Sequence, residues 1–335
     1  MKIVQVMASS AGMGGLEQHT IKLCNALAEH HEVHLIAHAS YRDYLHVGIK
    51  LHNIDLSRSR FNPLLHYQLF QLIKSISPDI IHAQANKAAN ILSPWLNKFD
   101  CPTIATIHNI KTNIKPFLKF DKVIAVSHKI AQIFPEENKV QVIWNGTSVE
   151  YLSEMRLTPR IRPQALAIGR LVQAKGFDLL IEAWQGVDAD LLIAGEGGDR
   201  PILEKKISEL FLQDNVKLLG SRSDIPQLLT NSDVMIISSR NEGGPITLAE
   251  ALLLKVPVFA TDVGMVTDFL DQEYVCRPND AQALKLLINK KIGLKSQLQP
   301  KFESAFEKAQ LNLKFEEMCT KTEKLYYEQI QLKKS

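Results

Sequence analysis

Between Ser232 and Asp268 the chain reads SDVMIISSRNEGGPITLAEALLLKVPVFATDVGMVTD, and this stretch narrows the choice of folds more than any other. A short apolar run, Val234 to Ile237, predicts a strand. A polar turn with Glu242, Gly243 and Gly244 follows, then a helix that starts at Pro245 and carries Glu250 in its second turn. A second apolar run, Val256 to Ala260, predicts another strand, and Gly264 sits in the turn after it. Strand, glycine turn, helix, strand is the unit of a parallel sheet, and such sheets bind ligands outside the carboxyl ends of their strands.

The turn has its own chemistry. Proline at the first helical position fixes φ and wastes no donor. The helix start presents free N–H groups and a positive dipole end. Two carboxylates beside it would repel phosphate, but a carboxylate can accept two hydrogen bonds from a diol. Glu242 and Glu250 therefore read as binders of sugar or ribose hydroxyls. Acids also decorate helix starts for electrostatic reasons alone.

The same unit recurs. Ile3 to Ala8 is an apolar run, SSAGMGG follows with Gly14 and Gly15, and a helix comes next with Leu16, Leu23, Cys24 and Leu27 at helical spacing. The dinucleotide spacing G-x-G-x-x-G is absent. Val33 to Ala39, Ile49 to Ile54, Asp79 to Ala83, Thr103 to Ile107, Val123 to Val126 and Val140 to Ile143 read as further strands. Their alternation with helical stretches predicts a doubly wound α/β domain. His82, inside IIHAQ, reads as structural. His108 ends TIATI, at a strand's carboxyl end, where an imidazole can donate, accept or carry charge beside a phosphate.

Tyr151 to Pro163 is polar with two prolines and reads as a linker. Beyond it, Ala165 to Ile168 is a strand and GRLVQAKGFDLLIEAW its turn and helix, with Arg170 and Lys175 flanking the turn. Two cations at a strand end suit a diphosphate, one as a fork and one as a point charge. Leu191 to Arg200 is another strand and glycine turn, with Gly195 and Glu196. Val216 to Leu219 is a strand followed by Gly220. The tail from Pro300 is helical, with Phe315, Met318, Thr322, Leu325 and Tyr326 in an apolar stripe.

Composition excludes several classes. A chain of 335 residues has room for two domains. Its 45% hydrophobic and 22% charged content is that of a globular protein. No apolar run approaches the roughly 18 residues of a membrane span. MKIVQVMA is too short and interrupted for a signal peptide. Cys24, Cys101, Cys276 and Cys319 form no CxxC pair, which fits a reducing, cytoplasmic compartment and no metal site. A net charge of +3 implies no nucleic-acid footprint. All 11 histidines precede residue 150, which favours two domains with different partners.

Two glutamates with seven residues between them, the first followed by Gly-Gly-Pro, resemble the signature of the family 4 retaining glycosyltransferases with the GT-B fold, of the bacterial lipopolysaccharide or capsule type. The resemblance runs from MASSAGMGGLEQHT to the last helix. It implies two Rossmann-like doubly wound domains facing across a cleft. Residues 1–155 would bind acceptor, residues 162–298 would bind nucleotide sugar, and helices in 299–335 would pack back toward the first domain.

It also implies roles. Arg170 and Lys175 would hold the donor diphosphate, Glu242 and His108 would contact the donor sugar, and Glu250 would take the ribose hydroxyls. Gly243, Gly244, Pro245 and Ile246 would line the donor turn. Gly195 and Glu196 would lie near the nucleotide, and Gly14 and Gly15 near diphosphate and acceptor. VIWNGTSVE, Val142 to Glu150, resembles the family segment that closes the first domain, with Trp144 in place of the usual proline before Asn-Gly; Met265 replaces a frequent glycine and Asp268 a frequent glutamate.

The implied reaction is metal-independent transfer, with no cofactor beyond a UDP- or GDP-linked co-substrate, to a glycan or lipid-linked acceptor in cell-surface polysaccharide synthesis. Two basic-aromatic stretches fit either peripheral membrane contact or amphipathic core packing. They are Arg58, Arg60, Phe61, Leu64, Leu65, Tyr67 and Phe70, and Lys111, Lys115, Phe117, Lys119 and Phe120. A sugar-nucleotide epimerase, a phosphorylase and a glycan-binding protein without turnover remain alternatives.

Overall fold

The computed structural model describes residues 1–9, 12–56, 58–59, 61–109, 113–149 and 162–334, with backbone only at 295 and 296. Contacts divide the chain into two units, Met1–Trp144 with Glu316–Ser335, and Asn145–Phe315. Each is built on a parallel sheet, so the chain consists of two Rossmann-like α/β domains.

Among the described residues the first unit has seven strands: β1 (Lys2–Met7), β2 (Glu32–Ala37), β3 (Lys50–Asn53), β4 (Ile80–Gln84), β5 (Thr103–Ile107), β6 (Lys122–Ala125) and β7 (Val140–Val142). They lie in the order β3-β2-β1-β4-β5-β6-β7 with every pair parallel. β4 and β5 are buried along their whole length, as strands covered on both faces must be. The order reverses between β1 and β4, which makes their carboxyl ends a switch point.

Helix Pro63–Ile76 illustrates the local rules. Asn62 caps it by accepting from the amides of Leu64 at 3.0 Å and Leu65 at 3.2 Å, and Ser77 ends it with φ at 50°. It buries Leu65, Leu69, Ile73 and Ile76 and leaves Leu64 and Tyr67 exposed, beside exposed Phe61. The second basic-aromatic stretch behaves differently. Phe117 and Phe120 are fully buried in the core, so this stretch is packing and not a lipid-facing surface. Arg60 and Lys111 lie outside the described residues.

The second unit has, among the described residues, six strands: β8 (Gln164–Ile168), β9 (Asp190–Ala194), β10 (Val216–Gly220), β11 (Val234–Ile237), β12 (Val258–Thr261) and β13 (Val275–Cys276). Their order is β10-β9-β8-β11-β12-β13, again all parallel. The reversal falls between β8 and β11.

The bounds of β5 and β11 match the sequence expectation. β12 starts two residues later than expected, at Val258, because Pro257 has no N–H to give to a ladder. β2 stops at Ala37, since His38 turns to accept from the amide of Ser40 and opens a 3-10 turn. The expected linker, Tyr151 to Pro163, falls outside the described residues except at Arg162 and Pro163, as does the expected boundary at residue 155. The division instead follows Trp144. Helices between 299 and 315 belong to the second unit, where Phe302 and Phe306 are buried and the Phe302 ring meets Tyr274 at 4.4 Å. Residues 316 onward return to the first unit, where helix Phe315–Lys334 buries Met318, Thr322, Leu325 and Tyr326.

Candidate functional site

In the second unit the loops after β8 and β11 are tied together at the switch point. Ser238 Oγ donates to the Lys175 carbonyl at 2.9 Å, and the Arg240 amide donates to the Ala174 carbonyl at 2.8 Å. The Arg240 guanidinium grips both oxygens of Asp178 at 2.7 Å and the Gln173 carbonyl at 2.8 Å. Burial pushes the Asp178 carboxyl up, but the Arg240 hydrogen bonds and charge outweigh it and hold Asp178 below the usual carboxylate range.

This frame places the Lys175 ammonium 2.5 Å from Glu242 Oε1, and Ser239 Oγ donates to the same oxygen at 2.9 Å. Both charged side chains are largely withdrawn from solvent. Glu242 Oε2 has no partner among the described residues, so it can accept from a hydroxyl. Arg170 differs from Lys175. Its side chain is exposed and makes no ion pair among the described residues. Of the two cations expected to hold a diphosphate, Lys175 is thus ion-paired to Glu242 and Arg170 has no ion pair among the described residues.

The turn after Glu242 is held from below. Gly264 has φ at 50°, and a Cβ there would lie 2.2 Å from the Gly243 carbonyl and 2.9 Å from that of Glu242. Asn145 Nδ2 donates to the Gly244 carbonyl at 2.8 Å. Asn145 is buried, and its Oδ1 has no hydrogen-bond partner among the described residues. The sequence marks Asn145 only as part of a segment closing a domain, and it marks Ser239 not at all. Nothing local in either residue's neighbours announces the contact.

Pro245 is the cap of the following helix and not its first residue. Its ψ of 114° is extended, so the helix runs Ile246–Leu253. No side chain caps this start, which leaves the first amides, at Ile246 and Thr247, without an intrahelical acceptor. Glu250 lies half-buried in the second turn, as expected.

At the ends of β9 and β10, Gly195 has φ at 148° and its amide donates to the Gly220 carbonyl at 2.8 Å. A Cβ at Gly195 would lie 1.8 Å from the Gly169 carbonyl, so three strand ends close on one another there. Glu196 is exposed and paired with Arg200 at 2.7 Å.

In the first unit the switch point holds Gly14, Gly15 and His108. Gly14 caps helix Gly15–Leu27, and its amide donates to Glu17 Oε2 at 3.0 Å, so a carboxylate already occupies that helix start. His108 Nε2 meets Gln84 Oε1 at 3.0 Å, and its ring stands edge-on to His19 at 4.8 Å. Burial, then the neighbouring His19 and His82, push the His108 pKa well below that of a free imidazole. The fold thus favours the neutral imidazole over its charged form. Burial lowers His19 to about 4. His82 is sealed between Tyr326 and Thr106 as a structural residue, and burial followed by His19 lowers it to about 3. The sequence reading singled out neither His19 nor Gln84.

Among the described residues no helix is long and apolar enough to cross a membrane. Comparison with known proteins divides the chain as the sheets do. Residues 13–151 match the family model described as Glycosyltransferase Family 4, and residues 156–308 match that described as Glycosyl transferases group 1. The chain is 27% identical over 298 residues to an uncharacterized glycosyltransferase of Methanocaldococcus jannaschii, covering 82% of each. It is 26% identical over 262 residues to the lipopolysaccharide core biosynthesis glycosyltransferase LpsE of Rhizobium meliloti, covering 74% of this chain and 76% of that one. In fold it resembles the crystal structure of Anabaena HepE in complex with UDP, with a TM-score of 0.80 and 21% identity over 98% of this chain and 100% of that chain.

Proposed function

Because this chain belongs to the family 4 glycosyltransferases, with their GT-B type of fold, we propose that it moves a sugar from a nucleotide sugar to a glycan or lipid-linked acceptor, with retention at the anomeric carbon and without a metal. The observation that carries this reading is the assembly at the second unit's switch point. Lys175, Glu242 and Ser239 are joined there, with exposed Arg170 on the adjoining loop and an uncapped helix start at Ile246.

The parts suit a sugar diphosphate. Arg170 and the amides of Ile246 and Thr247 neutralise the diphosphate, more strongly as the anomeric C–O bond breaks and charge grows on the leaving oxygen. Glu242 presents Oε2 to a sugar hydroxyl, while Lys175 and Ser239 hold its Oε1. Glu250 takes the ribose hydroxyls. The acceptor oxygen attacks from the face the phosphate leaves, and the leaving phosphate oxygen takes its proton. The first unit binds the acceptor, with His108 set toward a sugar hydroxyl. UDP in the Anabaena protein supports a uridine donor, and the Rhizobium relative supports a cell-surface polysaccharide as product. Exposed Phe61, Leu64 and Tyr67 support contact between the first unit and lipid.

The test is thermal unfolding against UDP- and GDP-sugars and free nucleotides without added metal. A native-state ligand raises stability as RT ln(1 + [L]/Kd). A shift with one nucleotide series, lost in Arg170→Ala, is the expected result. Folded protein that shifts with none of them overturns the donor site.

A further inference from the structure

Six polar side chains run in one file through the otherwise apolar middle of the first sheet. Gln5 on β1 and His82 on β4 are register partners, so their side chains share a face. Tyr326, from helix Phe315–Lys334, is fully buried against them. Its hydroxyl lies 2.6 Å from His82 Nδ1 and 2.8 Å from Gln5 Nε2. From there the file continues to Gln84 and ends at His108.

The donors and acceptors order this file. A carboxamide nitrogen only donates and its oxygen only accepts. Gln84 Nε2 donates to Gln5 Oε1 at 3.0 Å, which turns Gln84 Oε1 toward His108 Nε2, also at 3.0 Å. That oxygen has no proton, so Nε2 of His108 must bear one. At the other end Gln5 Nε2 donates to the Tyr326 hydroxyl, whose own proton is then left for His82 Nδ1. His82 Nε2 then donates to Thr106 Oγ1 at 2.7 Å. These five bonds all point the same way, and the contacts of the Gln5 and Gln84 amide nitrogens with the His82 ring are longer, at 3.4–3.5 Å. Turning both amides over would reverse all of them and move the His108 proton to the other nitrogen.

We propose that Tyr326 is a positioning residue that acts through Gln5 and Gln84 to keep the His108 proton on Nε2, so that Nδ1 presents a lone pair to a substrate hydroxyl. Nδ1 has no hydrogen-bond partner among the described residues. The titratable groups facing the ring are His19 from helix Gly15–Leu27 and His82 from β4. Neither offers a negative charge that would hold a second proton on it. A neutral acceptor of this kind selects a hydroxyl donor and rejects a phosphate oxygen, which has no proton to give. The word substrate rests on the transferase reading above. The proton's place does not.

The experiment is two-bond proton–nitrogen-15 NMR of the imidazoles in the full chain, without substrate, from pH 8 to 5.5. His108, identified by the signal lost in His108→Asn, is expected as the neutral form protonated on Nε2 throughout. Tyr326→Phe, and independently Gln5→Met, should give a mixture of the two neutral forms. With a sugar donor and acceptor, kcat/KM should fall about three- to tenfold in each. His108 protonated on Nδ1, or doubly protonated at pH 7, overturns the proposal, and so does an unchanged proton position in both variants. The expected NMR result in a protein with no transfer activity would remove the transferase reading alone.

Discussion

Lys175 Nζ and Glu242 Oε1 stand 2.5 Å apart although they lie 67 positions apart in the chain. Neither is free in solvent, so each has exchanged water for the other and for Ser239. Removing one partner leaves the other charge half-desolvated. Lys175→Ala and Glu242→Ala should therefore be non-additive in urea unfolding, with a coupling of about 1 kcal/mol or more. Additivity within about 0.5 kcal/mol would show that the pair is not a unit in solution.

Arg170 makes the opposite case. With no ionic partner among the described residues, Arg170→Ala should leave the unfolding free energy within about 0.5 kcal/mol of the parent. In turnover it should lose charge-assisted hydrogen bonds of roughly 1.5–3 kcal/mol each, a fall in kcat/KM of about ten- to over a hundredfold. A variant that is stable and nearly as active would remove Arg170 from the diphosphate.

Gly264→Ala probes the floor of the turn. Its Cβ would meet the Gly243 carbonyl at 2.2 Å and would also sit at positive φ. The turn carrying Glu242 must move to admit it. A loss of about 1–3 kcal/mol in stability, together with weaker donor binding by calorimetry, is expected. Parent-like values for both would mean that the turn yields without consequence.

The buried histidines fix a direction for pH. An unfolded imidazole titrates near 6.5, whereas His19 titrates near 4 and His82 near 3 in the fold. Their folded values are depressed, so above about pH 6.5 both states are neutral and nothing is lost. Below it the unfolded chain takes up protons that the fold refuses. Stability should fall with a slope of about 1.4 kcal/mol per pH unit for each such group as pH drops from 6.5 toward 4. Urea unfolding at pH 7.5, 6 and 5 measures this, and a flat series would contradict the neutral cluster.

Most strands of both sheets are legible in the sequence as apolar runs ended by a turn residue, and burial on two faces leaves such runs little other use; β13, only two residues long, is not anticipated, and β3 reads KLHN and is at most half-buried. Gly264, Lys175 and Glu242 are likewise legible as a turn residue and charged residues in the loops that follow strands. What the sequence does not carry is pairing at a distance. That Lys175 meets Glu242, and not only a ligand, depends on the sheet order that sets β8 beside β11. Asn145 reads as a domain end, yet its amide holds Gly244. Tyr326 reads as one more apolar position in a helical stripe, and its hydroxyl gains meaning only when Gln5 and His82 are in register beneath it.

The return of residues 316 onward to the first unit has a consequence for how the molecule is made. During synthesis the first sheet leaves the ribosome long before the helix that covers Gln5 and His82. At about 5–20 residues per second, the whole second unit is translated in the interval, on the order of ten seconds. The nascent first unit must wait through it with a polar seam uncovered until residues 316 onward have been made.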